Sequence, residues 1–206
     1  MNEIRRERAA LCDLLATLGP DQPTLCTGWR TRDLAAHLLL RERRPLAAPG
    51  ILLSSLAGYT ARVQQRLASR PYPQLLAQLR RPPLLLRPAR LDYAVNCLEL
   101  FVHHEDVRRA QPDWQPRPLP AGLAPGLWRR VRTLARMRLR RFPATVTVLA
   151  TGYGQIHTGA GGPMLTLTGD PGELALWLTG RPEAARVRLS GPDELVAQLT
   201  AVRFSV

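Results

Sequence analysis

Residues 96–110 read NCLELFVHHEDVRRA, and Glu99 and His103 stand four positions apart in this stretch. On an α-helix, positions i and i+4 share a face, so a carboxylate and an imidazole project side by side. Such a pair supplies two metal ligands if a third group arrives from another element. A second amphipathic segment, TRDLAAHLLLRER at residues 31–43, carries His37. Together the three side chains would form a site with positions open for water or substrate, the arrangement expected of a catalytic metal.

The first half of the chain has the periodicity of a helical bundle. Apolar residues recur at helical spacing, and Gly19-Pro20 ends the first run. Thr31 is the expected N-cap of the second helix. The segment RPPLLLRPAR at 81–90 contains too many prolines for a regular helix. We expect helices over residues 2–18, 31–44, 50–69, 73–80 and 90–110.

The second half has a different character. A proline-rich linker at 112–121 precedes a helix at 122–142, and after Pro143 short β-type segments alternate with helical ones. We expect strands in ATVTVLAT, MLTLTG and ARVRLSG, and helices in DPGELALWLTGR and PDELVAQLT. The stretch GYGQIHTGAGGP is interpreted as a turn-rich connection with His157 at the surface. The predicted fold class is α+β: a helical bundle at 1–111, the linker, and a helix plus small α/β module at 122–206.

The chain of 206 residues carries a net charge of +13, and all of its basic side chains are arginines. The arginines are spread along the chain without interleaved aromatic residues, so direct nucleic-acid binding is not favoured. A row of arginines in the helix at 122–142 is either a solvated face or an anion-recruiting wall beside a pocket; it comprises Arg129, Arg132, Arg136 and Arg140. No apolar run approaches the roughly 20 residues that span a bilayer, and the N-terminus is unlike a signal peptide. We therefore expect a cytoplasmic protein with no membrane association.

The three cysteines, Cys12, Cys26 and Cys97, are odd in number and lack CxxC spacing. This argues against disulfides and excludes a cysteine-based zinc knuckle. We interpret all three as small buried apolar residues, with no plausible histidine partner for a cysteine nucleophile. The chain also lacks a GxSxG elbow, a P-loop, a GxGxxG after a strand and an HExxH motif.

Several polar residues near the three candidate ligands have two interpretations each. His37 alone is compatible with a core histidine as well as a ligand. Asp33, four residues before His37, would orient its imidazole or would be an acid at a helix N-terminus. Asp106, three residues after His103, would orient that ring or would pair with a neighbouring arginine. His104 would line the mouth of the site or would serve in packing.

Two stretches resemble one known family. PTLCTGWRTRDLAAHLLLRER resembles the first motif of the DinB-like, maleylpyruvate-isomerase-type domain, where a tryptophan precedes a helix with an acid-x-x-x-His pattern. NCLELFVHHEDVRRA resembles that domain's second metal motif, Glu-x-x-x-His. The stretch GDPGELALWLTGRPEAARVRLSG resembles the small sterol-carrier-like domain that is fused to it. The likeness covers nearly the whole chain in the same order.

The resemblance implies a four-helix bundle that holds a divalent ion through His37, Glu99 and His103. Zinc is the expected metal and nickel the alternative. It also implies a low-molecular-weight thiol as cosubstrate, either mycothiol or bacillithiol. The reacting species would be a metal-bound thiolate or water, with no separate catalytic residue assigned. The expected activity is that of an isomerase or an S-transferase acting on a small electrophile, in a monomer or a homodimer.

Cationic side chains near the bundle mouth would bind carboxylates of the substrate or of the thiol. The candidates are Arg41, Arg44, Arg87, Arg90 and His104. Two alternatives to an enzyme remain at this point. One is a non-catalytic binding protein for an apolar or anionic small ligand. The other is a metal-bearing structural or regulatory protein without turnover.

Overall fold

The computed structural model describes residues 3–44, 46–47 and 53–204. The chain forms two compact units, Met1–Pro116 and Arg117–Val206. The first unit is helical, and the part of the predicted helix at 50–69 that covers 50–52 lies outside the described residues. Its α-helices are α1 (Glu3–Leu18), α2 (Thr31–Arg43), α3 (Ala57–Ala68), α4 (Tyr72–Leu79) and α5 (Ala89–Arg108).

The helices of the first unit pack around one apolar core. Helix α1 contacts α4 and α5, while α2 contacts α3 and α4. Several leucines of the helical pattern are fully buried, for example Leu11 and Leu15 of α1 and Leu34 of α2. Because each buried leucine contributes roughly 1.5–3 kcal/mol relative to an exposed one, this core fixes the positions of α2 and α5. Those two helices carry the candidate metal ligands.

The helix ends follow local hydrogen bonding. Arg30, and not Thr31 as expected, is the N-cap of α2, and its backbone N–H donates to the Asp33 carboxylate at 2.9 Å. The Thr31 hydroxyl donates instead to the carbonyl of Gly19. The proline-rich stretch before α5 forms only a short 3₁₀ turn at Leu84–Leu86, in line with its lack of backbone donors.

The second unit is built on a four-stranded sheet. Its elements are α6 (Ala124–Leu139), β1 (Thr145–Ala150), β2 (Gly154–Thr158), β3 (Met164–Gly169), α7 (Pro171–Leu178), β4 (Arg188–Ser190) and α8 (Asp193–Ala201). The strand order is β2-β1-β3-β4. Strand β1 pairs antiparallel with β2 and parallel with β3, and β3 pairs antiparallel with β4. Helix α6 contacts α7, β1 and β2.

Strand β2 overturns the prediction that GYGQIHTGAGGP is only a connection. Glycines bracket the strand: Gly152 has a positive φ in the turn before it, and Gly159 has one directly after it. His157 is therefore an exposed strand residue, and its Nδ1 lies 3.0 Å from the Thr147 hydroxyl. The glycines end the strand at both sides without interrupting it.

The predicted fold class is confirmed, because a helical N-terminal part precedes a small module with strands. The arginine row of α6 is exposed, as in a solvated helix face; it consists of Arg129, Arg132, Arg136 and Arg140. Among the described residues, no helix combines the length and the apolarity that are required to cross a lipid bilayer.

Candidate metal centre

Helices α2 and α5 bring the three predicted ligands to one place. One ligand atom from each of His37, Glu99 and His103 lies within 4.8 Å of the others. Both imidazoles are buried, whereas the Glu99 side chain is 33% exposed. The cluster therefore has a buried nitrogen side and a solvent-accessible carboxylate side, through which a small molecule can approach.

The rings and the carboxylate face one another. Nε2 of His103 lies 3.7 Å from a carboxylate oxygen of Glu99, as the i, i+4 spacing predicts. The His37 and His103 ring centroids are 5.2 Å apart with the planes inclined at 70°. The Trp29 ring packs against His37 at 4.8 Å between centroids. The tryptophan thus limits the positions available to the His37 ring.

Asp106 orients the His103 ring, which is one of the two interpretations of this acid. Its Oδ2 lies 2.9 Å from Nδ1 of His103, and the carboxylate is fully buried. An ionised carboxylate only accepts hydrogen bonds, so Nδ1 donates and Nε2 is directed toward Glu99. Burial by itself lowers the pKa of His103, but hydrogen bonds with Asp106 and Cys26 outweigh it and raise the pKa to about 10.

Cys26 is a polar contact of this cluster that the sequence interpretation missed. Its thiol donates to Oδ2 of Asp106 at 3.2 Å and lies 3.9 Å from Nδ1 of His103. The expectation of a purely apolar cysteine without a histidine neighbour is therefore wrong for this residue. Cys12 and Cys97 lie in helices and are buried, as expected. The position of Cys26 in the polar loop directly before α2 is the sequence feature that indicates a polar environment for its thiol.

Arg41 is the one predicted arginine that the structure brings to the cluster. Its Nε lies 3.3 Å from Glu99, and its guanidinium also donates to the Asn96 side chain and to the carbonyl of Val95. Asn96 in turn donates to Glu42 at 2.9 Å and to Asp92 on its own helix. Arg41 is thus held in position by three neighbouring residues on one face of α5.

A buried ionic network continues from Asn96 into the core. Arg8 of α1 donates to Asp92 and to Glu42, each at 2.8 Å. Burial lowers the pKa of Arg8, but the two carboxylates outweigh it and raise the pKa. Sequence reasoning missed this network, although Arg8 falls in the apolar stripe of Ile4 and Leu11, where a charged residue requires a partner.

The other predicted site residues lie elsewhere or serve other contacts. Asp33 caps α2 through Arg30, which is the second of its two interpretations. His104 is buried, with Nδ1 2.8 Å from Glu7 of α1, so it serves in packing. Arg108 and Arg109, the arginines after Asp106, both form ion pairs with Glu105. The other three arginines predicted for the site are exposed, and among the described residues none of them has a recorded hydrogen bond or ion pair with the cluster: Arg44, Arg87 and Arg90.

The donor set of the cluster fits a divalent ion such as zinc or nickel. Two imidazoles and one carboxylate are the ligands of many catalytic zinc sites. Around tetrahedral zinc, nitrogen and oxygen ligands stand about 3.4 Å apart. The present separations are at most 4.8 Å, so the side chains would have to close by no more than about 1.4 Å around an ion.

The fold, a helical unit followed by a smaller unit with a four-stranded sheet, is also found in solved structures. No protein-family model matches the sequence, and no curated protein matches it. The structure is similar to that of the mycothiol-dependent maleylpyruvate isomerase, with a TM-score of 0.53 and 14% identity over 92% of this chain and 90% of that one. A histidine-to-alanine mutant of that isomerase matches with a TM-score of 0.50, the same identity and the same coverage. The resemblance inferred from the sequence is thereby confirmed for the fold.

Proposed function

We propose that this protein is a cytoplasmic enzyme that uses a divalent metal ion and a low-molecular-weight thiol to transform a small electrophile. The convergence of His37, Glu99 and His103 carries this proposal, because three protein ligands on a shared fold leave positions open for thiol and water. The similarity to a mycothiol-dependent isomerase supports it. Isomerisation of maleylpyruvate is the first reaction to test, and S-transfer to other electrophiles is the second.

Each ligand would contribute through its own surroundings. His103 is held by Asp106 so that Nε2 faces the cluster, while His37 is confined by Trp29. Glu99 offers two oxygens with several lone pairs, so an ion and Arg41 can share this carboxylate. A divalent ion held there would lower the pKa of a bound thiol and orient its sulfur.

Arg41 is proposed to bind an anionic group of the electrophile or the thiol. Its guanidinium is 21% exposed beside Glu99 and is anchored on α5 through Asn96 and Val95. A pre-positioned guanidinium recognises a carboxylate with little loss of side-chain entropy. Arg44, Arg87 and Arg90 lack such anchoring to the cluster, so Arg41 is the strongest of the predicted anion-binding residues.

The proposal is tested with untagged protein that is stripped of metal and reloaded with zinc or nickel. Mycothiol and then bacillithiol are supplied with maleylpyruvate, followed by a panel of electrophiles. The proposal predicts turnover that requires both metal and thiol, that is lost in His37→Ala and that survives in His157→Ala, since His157 lies on β2 outside the cluster. No thiol-dependent turnover, together with thermal stabilisation by apolar ligands but not by metal, would favour a binding protein instead.

A further inference from the structure

A second set of metal-type donors lies on the opposite side of the His103 ring. Oδ2 of Asp106 lies 3.2 Å from Sγ of Cys26 and 2.9 Å from Nδ1 of His103. The sulfur and Nδ1 are 3.9 Å apart. We propose that these three atoms form a separate binding site for thiophilic metal ions such as Zn²⁺ and Cd²⁺. The site shares the His103 ring with the His37/Glu99/His103 cluster but uses Nδ1 of that ring and neither His37 nor Glu99, so this inference does not rest on the proposed function.

The distances within this set are close to those around a bound ion. Ligands of tetrahedral zinc stand about 3.4 Å apart for a nitrogen–oxygen pair and about 3.6 Å apart when one atom is sulfur. The three separations in the structure differ from these values by about half an ångström or less. Small rotations of the side chains are therefore sufficient to accommodate an ion.

The loop that carries Cys26 is fixed to the C-terminal part of α5. The backbone N–H of Leu25 donates to the carbonyl of Asp106, and the Gln111 amide donates to the carbonyl of Pro23. The Cys26 N–H donates to the Thr24 hydroxyl. Because these bonds position the thiol before any ion arrives, little ordering is required on binding.

The three donor residues differ in burial, and this difference provides a route for an ion to enter the site. Asp106 and His103 are buried, whereas Cys26 is half-buried and borders solvent. An ion can therefore reach the thiol first and the two inner donors afterwards. A thiolate, an imidazole and a carboxylate together favour zinc and cadmium over magnesium or calcium, which prefer all-oxygen sites.

Binding exchanges protons for the ion. In the structure the thiol and Nδ1 of His103 both direct a hydrogen to Oδ2 of Asp106. Metal binding breaks the S–H and the Nδ1–H bonds, releases two protons to solvent and forms one bond each from sulfur, nitrogen and oxygen to the ion. No oxidant or reductant is required.

The test is a titration of reduced, metal-free protein with Cd²⁺, followed by the ultraviolet thiolate-to-cadmium charge-transfer absorption. The proposal predicts this absorption in the wild type and also in His37→Ala and Glu99→Ala. Cys26→Ser abolishes it, and Asp106→Asn weakens Cd²⁺ binding at least tenfold. Cys97→Ala is the matched control and retains the absorption, because Cys97 is buried at 1% exposure on α5.

Three outcomes overturn the proposal. One is a wild type without the absorption, and another is an absorption that survives in both Cys26→Ser and Cys26→Ala. The third is loss of the absorption in both His37→Ala and Glu99→Ala, which would make Cys26 a ligand of the His37/Glu99/His103 cluster. Circular dichroism on each variant establishes that it is folded. Absence of thiol-dependent catalysis would count against the proposed function and leave this site unaffected.

Discussion

The carboxylate of Asp106 lies 2.9 Å from Nδ1 of His103, and this hydrogen bond turns Nε2 of the same ring toward Glu99. A carboxylate behind a ligating histidine fixes its tautomer and increases its basicity. The relationship joins two residues that are one helical turn apart on α5. It makes Asp106 a positioning residue for the His37/Glu99/His103 cluster. Its removal should lower the affinity for the metal ion and leave the affinity for the substrate unchanged.

In protein that carries Cys26→Ser, so that the second site does not contribute, replacing Asp106 by asparagine should weaken zinc binding at the His37/Glu99/His103 cluster by about 10- to 100-fold, because the imidazole loses its orienting carboxylate. The affinity is measured by competition with a chromophoric chelator. Asp33→Asn in the same background is the matched control, since Asp33 caps α2 through Arg30 and makes no expected contribution to zinc affinity. Equal zinc affinity with and without Asp106→Asn would show that His103 is not held through this bond.

In protein that carries Cys26→Ser, which removes the second site, the zinc affinity of the His37/Glu99/His103 cluster should rise with pH. The pKa of His103 is raised to about 10 in the metal-free protein, so a proton on this ring competes with the ion at neutral pH. Each unit of increase in pH below that pKa should strengthen binding about tenfold, since one proton is displaced. Competition titrations between pH 6 and 8, corrected for protonation of the chelator, measure the slope. A flat profile would mean that His103 is already neutral over this range.

Arg41→Gln should leave zinc content unchanged and lower kcat/KM for an anionic electrophile by about 10- to 100-fold. The expected loss corresponds to a charge-assisted hydrogen bond of about 1.5–3 kcal/mol. Steady-state kinetics on zinc-loaded protein measure it, with Arg44→Gln as the control because Arg44 is exposed and does not contact the cluster. Loss of zinc in Arg41→Gln would instead assign this arginine to the support of Glu99.

Arg8→Ala should destabilise the fold by about 3–5 kcal/mol, because Glu42 and Asp92 would be left buried without their cation. Urea unfolding monitored by circular dichroism measures the change. The exposed ion pair between Arg80 and Asp13 provides the comparison: Arg80→Gln should cost less than about 1 kcal/mol. Similar losses in the two variants would refute the assignment of Arg8 to the buried network.

What residue spacing could predict was local, and the meeting of His37 with Glu99 and His103 was implied by the family resemblance. The i, i+4 spacing of Glu99 and His103 is a property of one helix, and the apolar periodicity of α1 and α2 requires no knowledge of the partner helices. The Cys26–Asp106 and Arg8–Asp92 contacts join residues 80 and 84 positions apart. Such contacts depend on how loops and helices are placed in space, which residue spacing does not report.

Two sequence expectations fail at hydrogen bonds that residue type does not report. The glycines of GYGQIHTGAGGP predict a turn-rich connection, whereas pairing with β1 makes residues 154–158 a strand. Residue type favours Thr31 as the N-cap of α2, but the N-cap is Arg30, whose backbone N–H donates to the carboxylate of Asp33 in the first turn. The first of these contacts joins two strands, and the second is local to the helix start.

The central claim is that His37, Glu99 and His103 hold one divalent ion. Elemental analysis of untagged protein tests it most directly. The parent is the Cys26→Ser protein, in which the Cys26 site cannot contribute, and it is compared with the same protein carrying His37→Ala, Glu99→Ala or the control His157→Ala. About one zinc or nickel per chain in the parent and in His157→Ala, lost from the other two variants, is the predicted result. A parent protein that contains no metal and takes up none when zinc is added would contradict the claim.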